Sequence, residues 1–159
     1  MDGYYESRRD HLKHPMIWKS QNINFFPHFH RTIEITYVVK GEIQCICNGK
    51  NYCAKANEIL IFPSYSVHSG TSTDGTETMV ILAPLDYSSA IFSSLSGKTF
   101  QKLIVTSPEA CGEIYDAMRR LLEHKGKKVS ANITKGYVSV IVGLLTDAVG
   151  LCELEKDKN

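Results

Sequence analysis

Three histidines and one glutamate have the types and spacing to bind a metal ion or a small polar ligand. His28, His30 and Glu34 follow one another at intervals of two and four residues, so their side chains share one face if a single strand runs from His28 to Val38. His68 follows a later predicted strand and is the fourth candidate. Imidazole nitrogens and a carboxylate suit divalent zinc, nickel, iron or manganese. A lone histidine is more often an ordinary surface or core residue, but this combination predicts a ligand set.

The same strand parity assigns the neighbouring residues to two faces. Thr32, Thr36 and Val38 share the face of the histidines. The opposite face is apolar and consists of Ile33, Ile35, Tyr37 and Val39. Such a face requires cover, either from a second sheet or from helices. We therefore predict a barrel whose mixed polar interior admits a small molecule. The predicted ligand-contacting residues are His28, His30, Glu34, Thr36, Val38 and His68.

Short strands separated by turns are expected to position these side chains. The predicted strands cover residues 33–39, 42–47, 50–54, 59–62 and 78–83. Asn48-Gly49 is a strong hairpin signal, because a type I′ turn needs positive φ at both central residues. Gly41 ends the first of these strands, and Pro63 and Pro84 end the last two. Many short strands at this spacing are typical of a β-sandwich or a small barrel.

The last third of the chain has helical periodicity instead. A helix is predicted to begin at the Ser-Pro-Glu sequence of residues 107–109, which combines a capping hydroxyl, an early proline and an early carboxylate. A second helix is predicted from residue 130 or 132 to residue 154. Residues 86–101 carry no clear pattern. The apolar stripe of the second helix is wider than one contact surface needs. Packing within the chain accounts for most of it, and a second copy of the chain is the alternative for the rest.

Composition narrows the range of functions. The chain has 159 residues, enough for one domain, and 18 basic against 17 acidic residues leave a net charge of +1. A domain that grips DNA through its phosphates would normally carry a basic excess. Five cysteines and the lack of a secretory signal predict reduced thiols and a cytoplasmic location. Residues 137–152 are too short and too interrupted for a membrane span, so no membrane partner is expected.

Two signatures resemble those of the cupin family. His28, His30, Glu34 and Gly41 match the pattern H-x-H-x3-E-x6-G without a gap. A second, weaker signature runs from residue 57 to residue 72 and supplies His68. In it, Asn57 and Tyr65 stand where glycines are usual, and Ser72 stands where asparagine is usual. The resemblance implies that His28, His30, Glu34 and His68 occupy the positions that bind metal in metallocupins.

Within the cupins, residues 26–41, 58–63 and 67–68 are similar to the effector-sensing domain of AraC-family transcription regulators. The resemblance implies a mainly β fold, a cupin-like double-stranded β-helix barrel followed by a C-terminal αα-hairpin that mediates homodimerisation. The expected organisation is an N-terminal arm or edge strand at 1–24, the barrel at 25–101 and the helical hairpin at 102–159. DNA would be bound only by a C-terminal domain that this chain lacks, so we expect a sensor domain from a longer regulator.

Two functions of different classes remain from the sequence. The first is binding of a small effector, a sugar or another polar metabolite, with no catalysis. The second is a stand-alone metal-dependent cupin enzyme of the isomerase or dioxygenase type, since three histidines and a glutamate leave coordination positions open. No motif places a further acid–base residue, and the second signature has lost its glycines, so the sequence favours the sensor. A divalent transition metal (zinc, nickel, iron or manganese) is the candidate cofactor, and the sequence leaves its occupancy open.

Overall fold

The computed structural model describes residues 2–154, which form two five-stranded sheets, one two-stranded ribbon and three helices. The first sheet, here the open sheet, has the order β1 (Tyr4–Tyr5), β3 (Asn24–Phe29), β8 (His68–Ser72), β5 (Glu42–Cys47), β6 (Lys50–Lys55). The second, the covered sheet, has the order β11 (Ile104–Val105), β7 (Ile59–Phe62), β4 (Ile33–Lys40), β9 (Glu77–Ala83), β2 (Met16–Gln21). The ribbon pairs β10 (Lys98–Phe100) with β12 (Leu151–Glu153). The helices are α1 (Ser89–Leu95), α2 (Pro108–His124) and α3 (Ala131–Val149).

The two large sheets face each other and enclose a barrel interior. Glu34, Phe62 and Leu82 lie side by side on neighbouring strands of the covered sheet. The Phe62 ring stacks on His68 of the open sheet, with ring centroids 4.1 Å apart and an interplanar angle of 14°. Because this contact joins the inner faces of both sheets, the fold is the mainly β barrel that the sequence predicts.

The histidine segment does not form one continuous strand, contrary to the sequence prediction. Strand β3 ends at Phe29 in the open sheet, and β4 begins at Ile33 in the covered sheet. His30 lies in the connection that crosses between them. Residues from the two strands still meet, because the inner faces of the two sheets point toward the same interior.

The outer face of the covered sheet is covered by the helical hairpin, as its apolar side requires. The Tyr37 ring of β4 stacks on Tyr115 of α2, with centroids 4.4 Å apart. Met118 of α2 and Ile141 of α3 are completely buried. At the start of α2, the Ser107 hydroxyl accepts a hydrogen bond from the Ala110 amide, as the Ser-Pro-Glu sequence predicts.

The second helix ends earlier than the sequence predicts. Helix α3 stops at Val149, Gly150 has a φ of +72°, and Leu151–Glu153 continues as strand β12 instead of as helix to residue 154. The positive φ of Gly150 turns the chain out of the helix, so that β12 pairs with β10. The stretch 86–101 contains α1 and β10. Residues 155–159, the end of the predicted hairpin region, lie outside the described residues.

Two departures from the second cupin signature keep the backbone conformation that glycine would adopt. Asn57 has a φ of +69° and Tyr65 a φ of +62°. Asparagine tolerates this left-handed region, because its short side chain bonds locally; here its amide oxygen accepts from the Tyr37 hydroxyl at 3.1 Å. Tyrosine is rare there, and the Tyr65 amide is held by a 2.8 Å hydrogen bond to the His30 carbonyl. The turn geometry therefore survives the loss of the glycines.

Candidate metal and ligand site

Three imidazoles converge inside the barrel. One ring nitrogen from each of His28, His30 and His68 lies within 4.8 Å of the others. His28 comes from β3, His30 from the crossing connection and His68 from β8. All three are at most 5% exposed. The structure thus brings together the histidines that the sequence predicts, in a place shielded from bulk water.

Each ring is oriented by a hydrogen bond from its outer nitrogen. The Nδ1 atoms of His28, His30 and His68 lie 2.9, 3.0 and 2.8 Å from the carbonyls of Phe26, Thr32 and Ser66. A carbonyl only accepts, so each Nδ1 carries the proton and donates it. The Nε2 lone pairs are therefore left for the centre of the cluster. Metal-binding histidines are oriented in the same way by partners of the second nitrogen.

His68 shows the clearest fit to a metal. Its Nε2 is buried and has no hydrogen-bond partner among residues 2–154. Burial lowers the pKa of His68 to about 4, and the other histidines oppose its protonation as well. The ring is therefore neutral at physiological pH, and its unpartnered lone pair is available. A divalent ion would satisfy this atom, whereas a buried acceptor without a partner is costly.

Glu34 reaches the cluster from the covered sheet. Its Oε2 lies 3.3 Å from His30 Nε2 and 3.3 Å from an Arg9 guanidinium nitrogen. Burial opposes ionisation of this carboxyl, but His30, His68 and Arg9 outweigh it, and the pKa of Glu34 is lowered. The Glu34 carboxylate therefore pairs with His30 Nε2 through a proton on that nitrogen or, when the ring is neutral, through a bound cation. The Glu34 oxygen contacts His30 but is not among the ligand atoms that converge within 4.8 Å, so its role as a fourth metal ligand stays a prediction.

The other two predicted ligand-contacting residues lie deeper in the barrel. Thr36 and Val38 follow Glu34 along β4 and are 1% and 0% exposed. Thr36 lies between Leu60 and Val80 in the register of the covered sheet. Both share the inner face with Glu34, as the parity predicts, but apolar neighbours surround that part of the interior. Their contact with a ligand stays a prediction.

The N-terminal segment, which the sequence predicts as an arm or edge strand, contributes two charged residues, Glu6 and Arg9, that sequence reasoning missed. The Tyr4 ring stacks on His28, with centroids 5.6 Å apart. Glu6 Oε2 lies 3.7 Å from His28 Nε2, and Arg9 forms ion pairs with both Glu6 and Glu34. No spacing rule links residues 4–9 to the histidine motif, so only the fold could reveal this contact. The segment 1–24 therefore provides a short strand over the site and, in β2, an edge strand of the covered sheet.

A cavity of about 360 Å³ is lined by residues of the N-terminal segment, β2 and β9, and by none of the four predicted metal ligands. Its walls combine cationic and apolar side chains and are formed by Glu6, Arg8, Arg9, Leu12, Met16, Trp18 and Leu82. Leu82 lies beside Glu34 in the sheet, and Arg9 pairs with the Glu34 carboxylate. The cavity therefore lies next to Glu34. A flat indole next to charged hydrogen-bond donors is a suitable lining for a small polar molecule.

The fold and the site define a ligand-binding β-barrel domain with a buried histidine cluster. The sequence profile of the AraC-like ligand binding domain matches residues 15–134. The chain belongs to this family. The match covers most of the barrel and extends into the helical hairpin, which agrees with the resemblance found in the sequence.

A solved AraC-like regulator shares this fold over nearly the whole chain. The AraC-like transcriptional activator CuxR is 11% identical, with a TM-score of 0.65 over 94% of this chain and 56% of that protein. An RmlC-like cupin from Shewanella frigidimarina is 21% identical, with a TM-score of 0.41 over 45% of this chain and 68% of that one. KdgF from Halomonas sp. is 18% identical, with a TM-score of 0.41 over 46% and 72%. This chain thus spans little more than half the length of CuxR. No curated protein sequence matches it.

Within residues 2–154, no helix has both the length and the apolar character required to cross a bilayer.

Proposed function

We propose that this chain is the effector-sensing domain of an AraC-type transcription regulator and that it binds a small polar metabolite without transforming it. The observation that carries the proposal is the cavity next to Glu34, lined by Trp18 of β2 and by Arg9 of the N-terminal segment. A sugar or a related metabolite would stack on the indole and accept hydrogen bonds from the guanidinium. Membership of the AraC-like ligand-binding family supports this assignment.

A fluorescence titration tests this proposal, because Trp18 is the only tryptophan in the chain. We expect at least one member of a panel of monosaccharides, sugar acids and small hydroxy acids to change the Trp18 emission in a saturable way. Arg9→Gln should weaken that binding about tenfold, since a hydrogen bond to a charged group contributes roughly 1.5–3 kcal/mol. Arg120→Gln, on exposed α2 surface, is the matched control and should leave the Kd unchanged. Absence of saturable binding across the panel would overturn the proposal.

We further propose that His28, His30, His68 and Glu34 hold a divalent transition metal. The unpartnered His68 Nε2 and the three inward lone pairs support this assignment. When bound, such an ion would supply a Lewis-acidic centre that attracts oxygen atoms of a ligand. The chain's own residues orient the rings through their Nδ1 hydrogen bonds and exclude water from the cluster.

The same cluster supports a second candidate function, a metal-dependent cupin enzyme of the isomerase or dioxygenase type. Three imidazoles and a carboxylate would leave coordination positions open for a substrate. Recovery of an unchanged effector after prolonged incubation with the metal-loaded protein would support the sensor. Its conversion to a product, lost in His30→Ala, would support the enzyme instead.

We propose that the chain forms a homodimer through α3. A stripe at helical spacing on this helix is exposed and consists of Ile133, Gly136, Val140 and Gly143. Nothing lies within 4 Å of the position that a Cβ would take at either glycine. Glycine in a helix interior costs about 1 kcal/mol relative to alanine, so an open surface alone gives no reason for two of them. Close approach of a second helix would explain both glycines, because a side chain at either position would stand between the helices. The dimerisation role that the family resemblance implies for the hairpin supports a second copy of the chain as the partner.

Val140→Glu is expected to convert the dimer to a monomer, because a carboxylate would be buried at the centre of the α3 contact. Light scattering coupled to gel filtration should show the molar mass fall by half at micromolar concentration. Asn51→Asp adds one negative charge at an exposed position of the open sheet and should leave the mass unchanged. A native chain that is already monomeric at this concentration would contradict the dimer.

We infer that DNA contact in the whole regulator belongs to a different domain and that the protein acts in the cytoplasm. The nearly balanced charge of this chain supports the first inference. All five cysteines are free thiols, which supports a reducing compartment.

A further inference from the structure

The N-terminal segment places one carboxylate directly over the histidine cluster. Strand β1 pairs in parallel with β3, so that Tyr4 lies beside His28. Glu6 follows this strand directly, and its amide N–H donates a hydrogen bond to the Phe29 carbonyl, with the nitrogen and oxygen 2.9 Å apart. These backbone contacts fix the position from which the Glu6 side chain extends toward the metal candidates.

The inner oxygen of Glu6 faces an acceptor in a buried setting. Its Oε2 lies 3.7 Å from His28 Nε2, and the His28 proton is already committed at Nδ1 to the Phe26 carbonyl. Arg9 Nε lies 2.6 Å from the same oxygen, but it lacks hydrogen-bond alignment, and the oxygen has no aligned donor among residues 2–154. In the neutral form of His28 the two atoms are facing acceptors that are removed from water, and a cation between them would relieve their repulsion.

The same relation repeats on the other side of the cluster, where His30 Nε2 and Glu34 Oε2 are 3.3 Å apart. Two ligand atoms that each lie about 2.1 Å from one metal ion are separated by roughly 3.0–3.4 Å at bond angles near 90–110°. The His30–Glu34 pair has this separation. The Glu6–His28 pair exceeds it by a few tenths of an ångström, and Glu6 lies outside the three nitrogen atoms that converge within 4.8 Å, so metal binding would draw its carboxylate inward.

The charges around the cluster also favour Glu6 as a metal ligand. A divalent ion held by neutral histidines and Glu34 would lie near the Arg9 guanidinium, so the buried site would keep an excess of two positive charges. An uncompensated buried charge is strongly unfavourable. The Glu6 carboxylate halves the excess, and Arg9 then bridges the two acidic ligands from outside. Such outer hydrogen-bond partners are a regular feature of metal sites.

We infer that Glu6 is an additional oxygen ligand of the metal, and that metal binding therefore fastens the N-terminal segment over the barrel. This inference rests on the proposed metal site. The segment is otherwise weakly attached, because β1 has two residues and both tyrosines are about half exposed. A ligand from the segment couples metal affinity to segment order, and this coupling is reciprocal.

The test combines metal affinity with hydrogen exchange in the whole chain. Native protein, Glu6→Gln, His68→Ala and the control Glu113→Gln, on exposed α2 surface, are titrated with Ni²⁺ against a chromophoric chelator. Amide exchange of residues 4–9 is then measured with and without Ni²⁺. We expect Glu6→Gln to bind Ni²⁺ at least about tenfold more weakly. Ni²⁺ should slow exchange of residues 4–9 in native protein and Glu113→Gln, and leave it unchanged in Glu6→Gln.

The outcomes distinguish failure of the metal site from failure of Glu6 as a ligand. If native protein binds Ni²⁺ no better than His68→Ala, the metal site itself is wrong. If His68→Ala loses affinity while Glu6→Gln keeps it, and Ni²⁺ leaves the exchange of residues 4–9 unchanged, the histidine site stands and the role of Glu6 is overturned. Exchange slowed by the metal only when Glu6 is present supports the inference.

Discussion

Replacing His68 with alanine is expected to lower the affinity of the chain for Zn²⁺ or Ni²⁺ at least about a hundredfold, equivalent to about 2.7 kcal/mol. The variant removes one of three converging nitrogen donors. It also removes the one whose Nε2 is buried without a partner and whose lowered pKa, about 4, keeps protons from competing for it. Removing only the groups that hydrogen-bond to metal ligands weakens metal binding ten- to a hundredfold. Removing a ligand itself should therefore weaken metal binding a hundredfold or more.

Competition with a chromophoric chelator measures this affinity, and thermal unfolding provides an independent readout. A metal at a hundred times its Kd stabilises the folded chain by about 2.7 kcal/mol, so the native Tm should rise by several degrees on metal addition. His68→Ala should show little rise. The control is His11→Ala, because His11 is exposed and outside the cluster. Equal affinity in native protein and His68→Ala would contradict the assignment of His68.

The second large effect is expected from Phe62→Ala, which should reduce the free energy of unfolding by about 3–5 kcal/mol. Phe62 is 1% exposed, stacks on His68 and meets the Phe25 ring edge-on at 6.1 Å. Removing the ring leaves a cavity between the two sheets that the surrounding strands cannot close. Since domains of this size are stable by about 5–15 kcal/mol, the variant loses a large part of its stability.

Urea unfolding followed by far-ultraviolet circular dichroism measures this loss. Phe26→Ala is the matched control, because Phe26 is 79% exposed on β3 of the open sheet and its removal should change stability by about 0.5 kcal/mol or less. Phe62→Leu should recover most of the difference, since it refills much of the space. Equal effects at positions 62 and 26 would show that the two sheets do not depend on this contact. A fully folded Phe62→Ala variant should also bind metal more weakly, because His68 loses the ring that orients it.

Sequence patterns predicted the features that arise from interactions between near neighbours. The Asn48-Gly49 hairpin forms with φ of +46° and +78° at its two residues, as a type I′ turn requires. The start of α2 follows from a hydroxyl, a proline and a carboxylate within three residues. Such signals depend on local geometry, so the surrounding fold does not change them. The strand parity of β4 was predictable for the same reason.

The end of α3 and the two strands of the small ribbon were not predictable from local pattern. Residues 151–153 are compatible with helix, and their pairing with residues 98–100 depends on a partner about fifty positions away. This strand pairing forms in place of a further turn of α3, because the positive φ of Gly150 lets the chain change direction there. Neither segment carries enough signal alone, because the stabilising hydrogen bonds exist only once both are in place.

The sequence by itself determined which side chains could form the site: the motif identified His28, His30, Glu34 and His68, and their donor atoms limit the chemistry to metal or polar ligand binding. Only the tertiary structure decided how they meet. The chain crosses between two sheets at His30, and the facing inner surfaces, not one strand, bring Glu34 to the histidines. It also decided that Glu6 and Arg9 join them, because the parallel pairing of β1 with β3 joins parts of the chain that no local periodicity relates.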